Sequence, residues 1–141
     1  MLFLPENEIH ELGLLYLNYE LVLRGFHTVY LGQSLPLNNL NYFLESKREI
    51  CFIAALTIQP YDDKIEAYFT EINTIMTNTK NQFIATGRKV DKVRHLNLNA
   101  NIQLYDSIRD LLKVLYKIKN EQKYSYNWFG FLRFIGFLLF S

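Results

Sequence analysis

The sequence predicts an α/β fold in which a five-stranded parallel sheet carries helices on both faces. Five short apolar runs alternate with longer segments that repeat apolar residues every three or four positions, which is the pattern of strands buried by crossover helices. Half of the 141 residues are hydrophobic, so a single domain can bury a sizeable core. Right-handed crossovers then favour the flavodoxin-like (Rossmann-like) strand order 2-1-3-4-5.

The strands are expected in the apolar runs, each of which has a length that is common for strands in globular proteins. These runs are residues 1–4, 27–31, 51–56, 82–85 and 100–105.

The helices are expected between these runs. Residues 9–24 carry an apolar stripe at helical spacing, and Gly25 follows where a left-handed residue often ends a helix. The stripe consists of Leu12, Leu15, Tyr16, Tyr19 and Leu23. Pro36 suits the first turn of a second helix over residues 36–46. Two more helices are expected at residues 62–79 and 107–119, and a short one at residues 90–95.

Charge and cysteine content argue against several classes of protein. The formal net charge of +1 lacks the strongly basic footprint of a free-standing nucleic-acid binder. The single cysteine, Cys51, has apolar neighbours, which indicates a buried thiol in a reducing compartment. With no secretory signal before Pro5, a cytoplasmic protein is expected. No nucleophile–base pair and no glycine-rich phosphate loop is evident, so an enzyme is not expected.

The loop after the first strand contains the most informative histidine, His10, in the stretch PENEIHELGLL. Ligands of open parallel sheets bind at the carboxyl ends of the strands, near the point where the strand order reverses. With the order 2-1-3-4-5, that point is the loop that contains His10. The other two histidines, His27 and His95, are expected at the surface.

Three separated segments carry a pattern of motifs. They are Glu8-Ile9-His10-Glu11-Leu12-Gly13, Ala55-Leu56-Thr57 and Thr86-Gly87, with 41 residues between the first and second and 28 between the second and third. This pattern resembles the Asp-x-His-x-x-Gly, Ser-x-Leu or Ser-x-Thr, and Gly-Gly motifs of flavodoxin-like cobalamin-binding domains. More closely, the chain is similar to the cobalamin-binding domain of MerR-type transcriptional regulators, including cobalamin-dependent photoreceptor repressors. The resemblance covers residues 1–112 and is strongest before Leu40.

The resemblance implies a binding site for cobalamin, as adenosylcobalamin or methylcobalamin. His10 would be the lower axial ligand of the cobalt, and so the metal ligand, after displacement of the cofactor's own benzimidazole tail. Glu8 would accept a hydrogen bond from the other ring nitrogen of His10. The displaced tail would enter a slot lined by Gly13, Ala55, Thr57, Thr86 and Gly87, in which small residues permit close approach.

Two residues depart from the family pattern. Ala55 lacks the serine hydroxyl, whose hydrogen bond is typically worth about 1 kcal/mol and would have to come from elsewhere, such as Thr57. Thr86 replaces a glycine, and overpacking by its branched side chain could cost roughly 1 to 3 kcal/mol. These changes leave open a degenerate domain that kept the fold and lost the cofactor.

The resemblance implies the sensory domain of a MerR-like transcription regulator. Photoreceptor repressors of this kind join a DNA-binding module and a helical bundle to the domain, and strand one here begins at Met1, so neither module is expected on this chain. The chain would then not bind nucleic acid directly, and its partners would be those modules or a second copy. Two alternatives remain, namely a cofactor-free flavodoxin-like protein-interaction domain and a corrinoid carrier domain of a methyltransferase or mutase system.

Residues 1–120 are expected to form the cobalamin-binding-like domain, and residues 121–141 an apolar, aromatic tail. The stretch YNWFGFLRFIGFLLFS within the tail is interrupted by Arg133 and is shorter than the roughly 20 residues that span a bilayer as a helix. A membrane span is therefore not expected. Packing against the domain or self-association is favoured over a position in a membrane interface.

Overall fold

The computed structural model describes residues 1–46 and 48–122 of the chain. Its strands are β1 (Leu2–Pro5), β2 (Tyr30–Leu35), β3 (Cys51–Ala55), β4 (Gln82–Thr86) and β5 (Ile102–Tyr105). Its α-helices are α1 (Leu12–Leu23), α2 (Asn41–Leu44), α3 (Ile65–Met76) and α4 (Ile108–Gln122), and 3-10 helices span Leu37–Leu40 and Arg88–Val93. The tail expected at residues 121–141 lies outside the described residues, except for its first two, which belong to α4.

The five strands form one sheet in the order β2-β1-β3-β4-β5, and all of their pairings are parallel. This arrangement confirms the predicted flavodoxin-like fold class. β1 pairs with β2 on one side and with β3 on the other, so the order of strands reverses at β1. The reversal brings the loops that follow β1 and β3 together at the carboxyl edge of the sheet.

Helices cover both faces of the sheet, and each face has its own core. On one face, α1 and α4 bury the leucines Leu14, Leu17, Leu21, Leu111, Leu112 and Leu115. On the other face, α3 and the shorter helices cover a core with four phenylalanines, Phe3, Phe52, Phe69 and Phe83. The rings of Phe3 and Phe83 meet edge to face, with centroids 6.1 Å apart. No helix within the described ranges is both long enough and apolar enough to cross a membrane.

The second strand does not lie where the sequence predicts it. Residues 27–31 were expected, whereas β2 spans Tyr30–Leu35 and includes the polar residues Gln33 and Ser34. β2 is an edge strand whose only partner among the described strands is β1, and its ladder is irregular, with positive φ angles at Gly32 and Ser34. An edge strand tolerates exposed polar residues, because one of its sides faces solvent. The helix expected at residues 36–46 is shorter than predicted and consists of a 3-10 helix (Leu37–Leu40) followed by α2 (Asn41–Leu44). The short helix expected at residues 90–95 is a 3-10 helix of the same length at Arg88–Val93.

The apolar stripe expected on the first helix lies on its exposed side, whereas a different set of residues faces the core. The residues that α1 buries are Leu14, Leu17 and Leu21. The predicted stripe is exposed, and it belongs to a larger exposed set on α1, namely Leu12, Leu15, Tyr16, Tyr19, Val22 and Leu23. Both sets satisfy helical spacing, so periodicity identifies the helix without identifying its buried side. We call the exposed set the outer face of α1.

Candidate functional site

The candidate site is a cavity of about 220 Å³ at the carboxyl edge of the sheet, beside the ends of β3 and β4 and the first turns of α1 and α4. Six of the seven residues expected at the site line it, namely His10, Gly13, Ala55, Thr57, Thr86 and Gly87. They come from three distant segments, which the parallel topology brings to one edge. The seventh, Glu8, contacts His10 from the loop after β1.

Glu8 anchors this loop through its carboxylate. The residue is buried, with only 1% of its surface exposed. Its Oε1 accepts hydrogen bonds from the backbone N–H groups of Ile9 and His10, both at 3.0 Å. Its Oε2 accepts from the N–H groups of Ile58 at 2.6 Å and Gln59 at 2.8 Å. Burial by itself would raise the pKa of Glu8, but the bonds from the N–H groups of Gln59, Ile58 and His10 and from the His10 ring lower the pKa to about 2. Glu8 is therefore ionised at neutral pH.

The imidazole of His10 is oriented by Glu8. Its Nδ1 lies 2.6 Å from Oε1 of Glu8. An ionised carboxylate can only accept hydrogen bonds, so Nδ1 carries a proton, and in the neutral form of the ring the lone pair is therefore on Nε2. The side chain of His10 is 51% exposed, and Nε2 has no hydrogen-bond partner in the described part of the chain. A ring held in this tautomer can bind a metal or accept a proton.

Two glycines shape the wall of the cavity. Gly87 has a φ of +123°, and a Cβ at this position would overlap the carbonyl oxygen of Leu56, so the backbone conformation and the close contact both require glycine. Gly13 lies in the first turn of α1, where a Cβ would lie 3.0 Å from Cδ1 of Ile108. The wall therefore depends on the absence of side chains at these two positions.

Ala55 and Thr86 end adjacent strands and are paired across the ladder between β3 and β4. Ala55 packs with the leucines of α1 and α4. Thr86 is fully buried, and its Oγ1 has no hydrogen-bond partner among the described residues. Thr57, in contrast, is exposed. Thr86 is among the residues that line the cavity, and an open space of about 220 Å³ remains beside it.

Five residues beyond the seven expected at the site also line the cavity: Leu56, Arg88, Asp106, Ser107 and Ile108. Ser107 caps α4, because its Oγ accepts a hydrogen bond from the N–H of Asp110 at 3.1 Å and donates to a carboxylate oxygen of the same residue at 2.6 Å. Asp106 forms an ion pair with Arg94. The signal that could have found Asp106 and Ser107 is their position directly after β5, since every loop that follows a parallel strand reaches this edge.

The described side chains at the site offer one candidate metal ligand, the imidazole of His10. Within residues 1–46 and 48–122, no group of three or more His, Cys, Asp or Glu side chains could hold a metal ion. A free zinc ion needs about three or four protein ligands, whereas a metal held by a macrocycle needs only axial ligands. One oriented imidazole can supply a single ligand to a metal of the second kind, whereas a metal of the first kind needs ligands that the described residues do not bring together here.

Two other cavities lie apart from His10. One, of about 280 Å³, lies at the amino ends of the strands and is lined by residues such as Leu21, Phe26 and Leu115. The other, of about 820 Å³, is more polar and lies beside α3, on the opposite face of the sheet, with Lys64 and Glu71 in its wall. None of the seven residues expected at the site lines either of them.

Comparison with known proteins adds no family assignment. The chain matches no protein-family model, no curated protein and no solved structure. A functional proposal therefore depends on the geometry of the cavity and on the residues that line it.

Proposed function

We propose that this chain is a cobalamin-binding sensory domain of the MerR-like regulator type, located in the cytoplasm and without catalytic activity of its own. The observation that carries the proposal is that one cavity collects His10, Gly13, Ala55, Thr86 and Gly87 from three distant motifs. Glu8 accepts hydrogen bonds from the loop after β1 and from the loop after β3, and these bonds hold the two loops together.

The roles of the residues follow from their contacts. His10 would bind cobalt through Nε2, and Glu8 would hold the ring in the required tautomer and raise the basicity of Nε2. The cavity of about 220 Å³ is smaller than the roughly 300 to 1,000 Å³ of pockets that hold a whole ligand. It therefore suits one arm of a large molecule, such as the displaced base, with the remainder outside. When bound, cobalamin would supply a cobalt centre with an exchangeable upper ligand.

Titration of the purified chain with hydroxocobalamin in dim light tests this proposal. We expect a saturable change in the visible spectrum at micromolar cofactor, with the signature of histidine-ligated cobalt. His10→Ala should abolish that signature, because the variant lacks the only lone pair that the proposal places on the metal. Adenosylcobalamin and methylcobalamin should show the same dependence on His10.

His95→Ala is the matched control for this titration. His95 is an exposed histidine that pairs with Glu66 of α3 at 3.2 Å, and it does not line the cavity beside His10. The control variant should bind cobalamin as the wild type does. The proposal is wrong if the wild type gives no spectral change, or if His10→Ala and the wild type give the same change.

A second candidate is a cofactor-free protein-interaction domain. The outer face of α1 favours it, because clustered exposed apolar side chains often mark a protein contact. This candidate predicts normal folding without any corrinoid and contacts that involve residues 126–141. Deleting residues 126–141 should then change the sedimentation profile, and an unchanged profile would count against this second candidate.

A further inference from the structure

Thr86 presents a buried hydroxyl group at the wall of the cavity. The residue is fully buried, and its Oγ1 lacks a hydrogen-bond partner within the described ranges. Buried hydroxyl groups nearly always bind a protein group, a water molecule or a ligand. In the described part of the chain, the other buried side-chain polar atoms without a partner belong to Asn18, Tyr68 and Gln103, and none of these three residues lines the cavity beside His10. The unpartnered hydroxyl and the cavity therefore coincide at Thr86.

Thr86 lies beside Ala55 of the neighbouring strand β3, where the family pattern has a serine and this chain has no hydroxyl group. Ala55 and Thr86 are paired in the ladder between β3 and β4, and directly paired residues point to the same face of a sheet. That face is the one covered by α1 and α4, because Ala55 and Ile84 both belong to the core on that side and Thr86 follows Ile84 by two positions. Thr86 on β4 therefore places a hydroxyl group on the same face of the sheet as Ala55, which has none.

The other hydroxyl groups at the cavity are less suitable as donors to a buried ligand. Ser107 already donates to the carboxylate of Asp110 at 2.6 Å. Thr57 is exposed, so water can satisfy its hydroxyl. Leu56 and Ala55, which are buried beside Thr86, carry no side-chain donor. Thr86 is thus the hydroxyl that a ligand would reach only by entering the cavity.

We propose that the Thr86 hydroxyl donates a hydrogen bond to a ring nitrogen of a flat heteroaromatic base that enters the cavity beside Ala55. This inference rests on the proposed function, in which the base is the displaced tail of cobalamin. A ring nitrogen with a lone pair accepts one hydrogen bond, and a threonine hydroxyl can donate one. Thr86 then determines which base the cavity accepts, in place of the serine that the family pattern has at position 55.

Comparison of cobalamin with cobinamide, which has the corrin and the cobalt but lacks the base, tests the inference. Thr86→Val keeps the shape of the side chain and removes Oγ1. We expect this variant to weaken cobalamin binding roughly 2- to 13-fold, which is the range for one neutral hydrogen bond, and to leave cobinamide binding unchanged. Thr86→Ser keeps the hydroxyl and should bind cobalamin more tightly than Thr86→Val does.

Three further variants define the position of the donor. Ala55→Ser combined with Thr86→Val should restore cobalamin binding, because it returns a hydroxyl to the paired position on β3. Thr70→Val, on the exposed surface of α3, should change neither affinity. If Thr57→Val gives the cobalamin-specific loss and Thr86→Val does not, Thr57 is the donor and the inference is wrong.

Thermal unfolding of the ligand-free chain gives a readout that does not involve the cofactor. Thr86→Val should raise the Tm, because it removes a buried hydroxyl that has no partner. A lower Tm would show that the protein or a water molecule already satisfies the hydroxyl, and would overturn the inference.

The two proposals fail in different ways. If the wild type binds cobalamin with the His10-dependent spectrum and Thr86→Val binds it equally well, the inference is wrong and the proposed function stands. If the wild type binds neither cobalamin nor cobinamide, the proposed function is wrong and the inference falls with it.

Discussion

At the scale of single residues, Glu8 combines nearly complete burial with five accepted hydrogen bonds. Its pKa is lowered from 4.5 to about 2 in the folded chain. A depressed carboxylate pKa gives stability that is present above the unfolded value and is lost as the pH falls toward the folded value. The shift corresponds to about 3 kcal/mol. The stabilisation by Glu8 should therefore be complete near neutral pH and disappear between about pH 4.5 and pH 2.

Glu8→Gln tests this pH dependence, because glutamine cannot carry the charge. We expect the free energy of unfolding of the wild type to exceed that of Glu8→Gln at pH 6, and the difference to shrink by about 3 kcal/mol as the pH falls to 2. Denaturant titrations at each pH measure the difference. The lowered pKa values of Glu20, Asp62 and Asp110 act in both proteins and cancel.

Glu6→Gln is the control for Glu8→Gln, since Glu6 lies two positions earlier and is exposed. Its pH profile should run parallel to that of the wild type. If the free energy of unfolding of Glu8→Gln also falls with pH as that of the wild type does, the Glu8 carboxylate does not cause the pH dependence and the prediction is wrong.

The backbone conformation of Gly87 shapes one wall of the cavity. In Gly87→Ala, a strained φ of +123° combines with overlap between Cβ and the Leu56 carbonyl oxygen. Strain costs roughly 1 to 3 kcal/mol and overlap a similar amount, so we expect a loss of about 3 kcal/mol or more in the free energy of unfolding. Gly32→Ala is the control, because Gly32 has a φ of +89° but no atom within 4 Å of the added Cβ. Equal losses in the two variants would refute the overlap.

At the scale of helices and strands, the sequence predicts the elements better than their orientation and limits. Periodicity locates α1, but two apolar stripes satisfy its spacing, and the packing of α1 against the sheet and α4 determines that Leu14 and Leu17 are the buried ones. The predicted limits of β2 are wrong because the apolar run ends at Leu31, whereas the strand continues through polar residues to Leu35, which an edge strand accommodates. Such features depend on neighbours that are distant in sequence, so local pattern cannot determine them.

Truncation of two leucines on α1 tests the orientation of this helix. Leu17 is fully buried, whereas Leu12 is 82% exposed. Leu17→Ala should lower the free energy of unfolding by roughly 2 to 5 kcal/mol, because it leaves a cavity in the core. Leu12→Ala should change it by no more than about 0.5 kcal/mol. Denaturant titration of both variants measures the contrast, and a large loss at Leu12 would mean that the outer face of α1 is covered.

At the scale of the whole molecule, topology explains why part of the candidate site was predictable. The motifs around His10, Ala55 and Gly87 each follow a strand, and a parallel sheet gathers such segments at one edge. The bonds from the Ile58 and Gln59 N–H groups to Glu8 were not predictable, because they join loops about 50 residues apart through backbone atoms. Backbone donors leave no mark in a sequence pattern.

The final prediction is that whole chains associate through the outer face of α1. Its apolar side chains are exposed, and we expect copies of the chain to associate through them as the concentration rises. Leu12→Lys combined with Tyr19→Lys should lower the average mass in sedimentation equilibrium without loss of fold, because both side chains lie outside the core. Thr70→Lys adds a charge to the exposed surface of α3 and should leave the mass unchanged. If the wild type is monomeric and associates only after residues 126–141 are deleted, the chain covers this face itself, and the prediction of association through α1 is wrong.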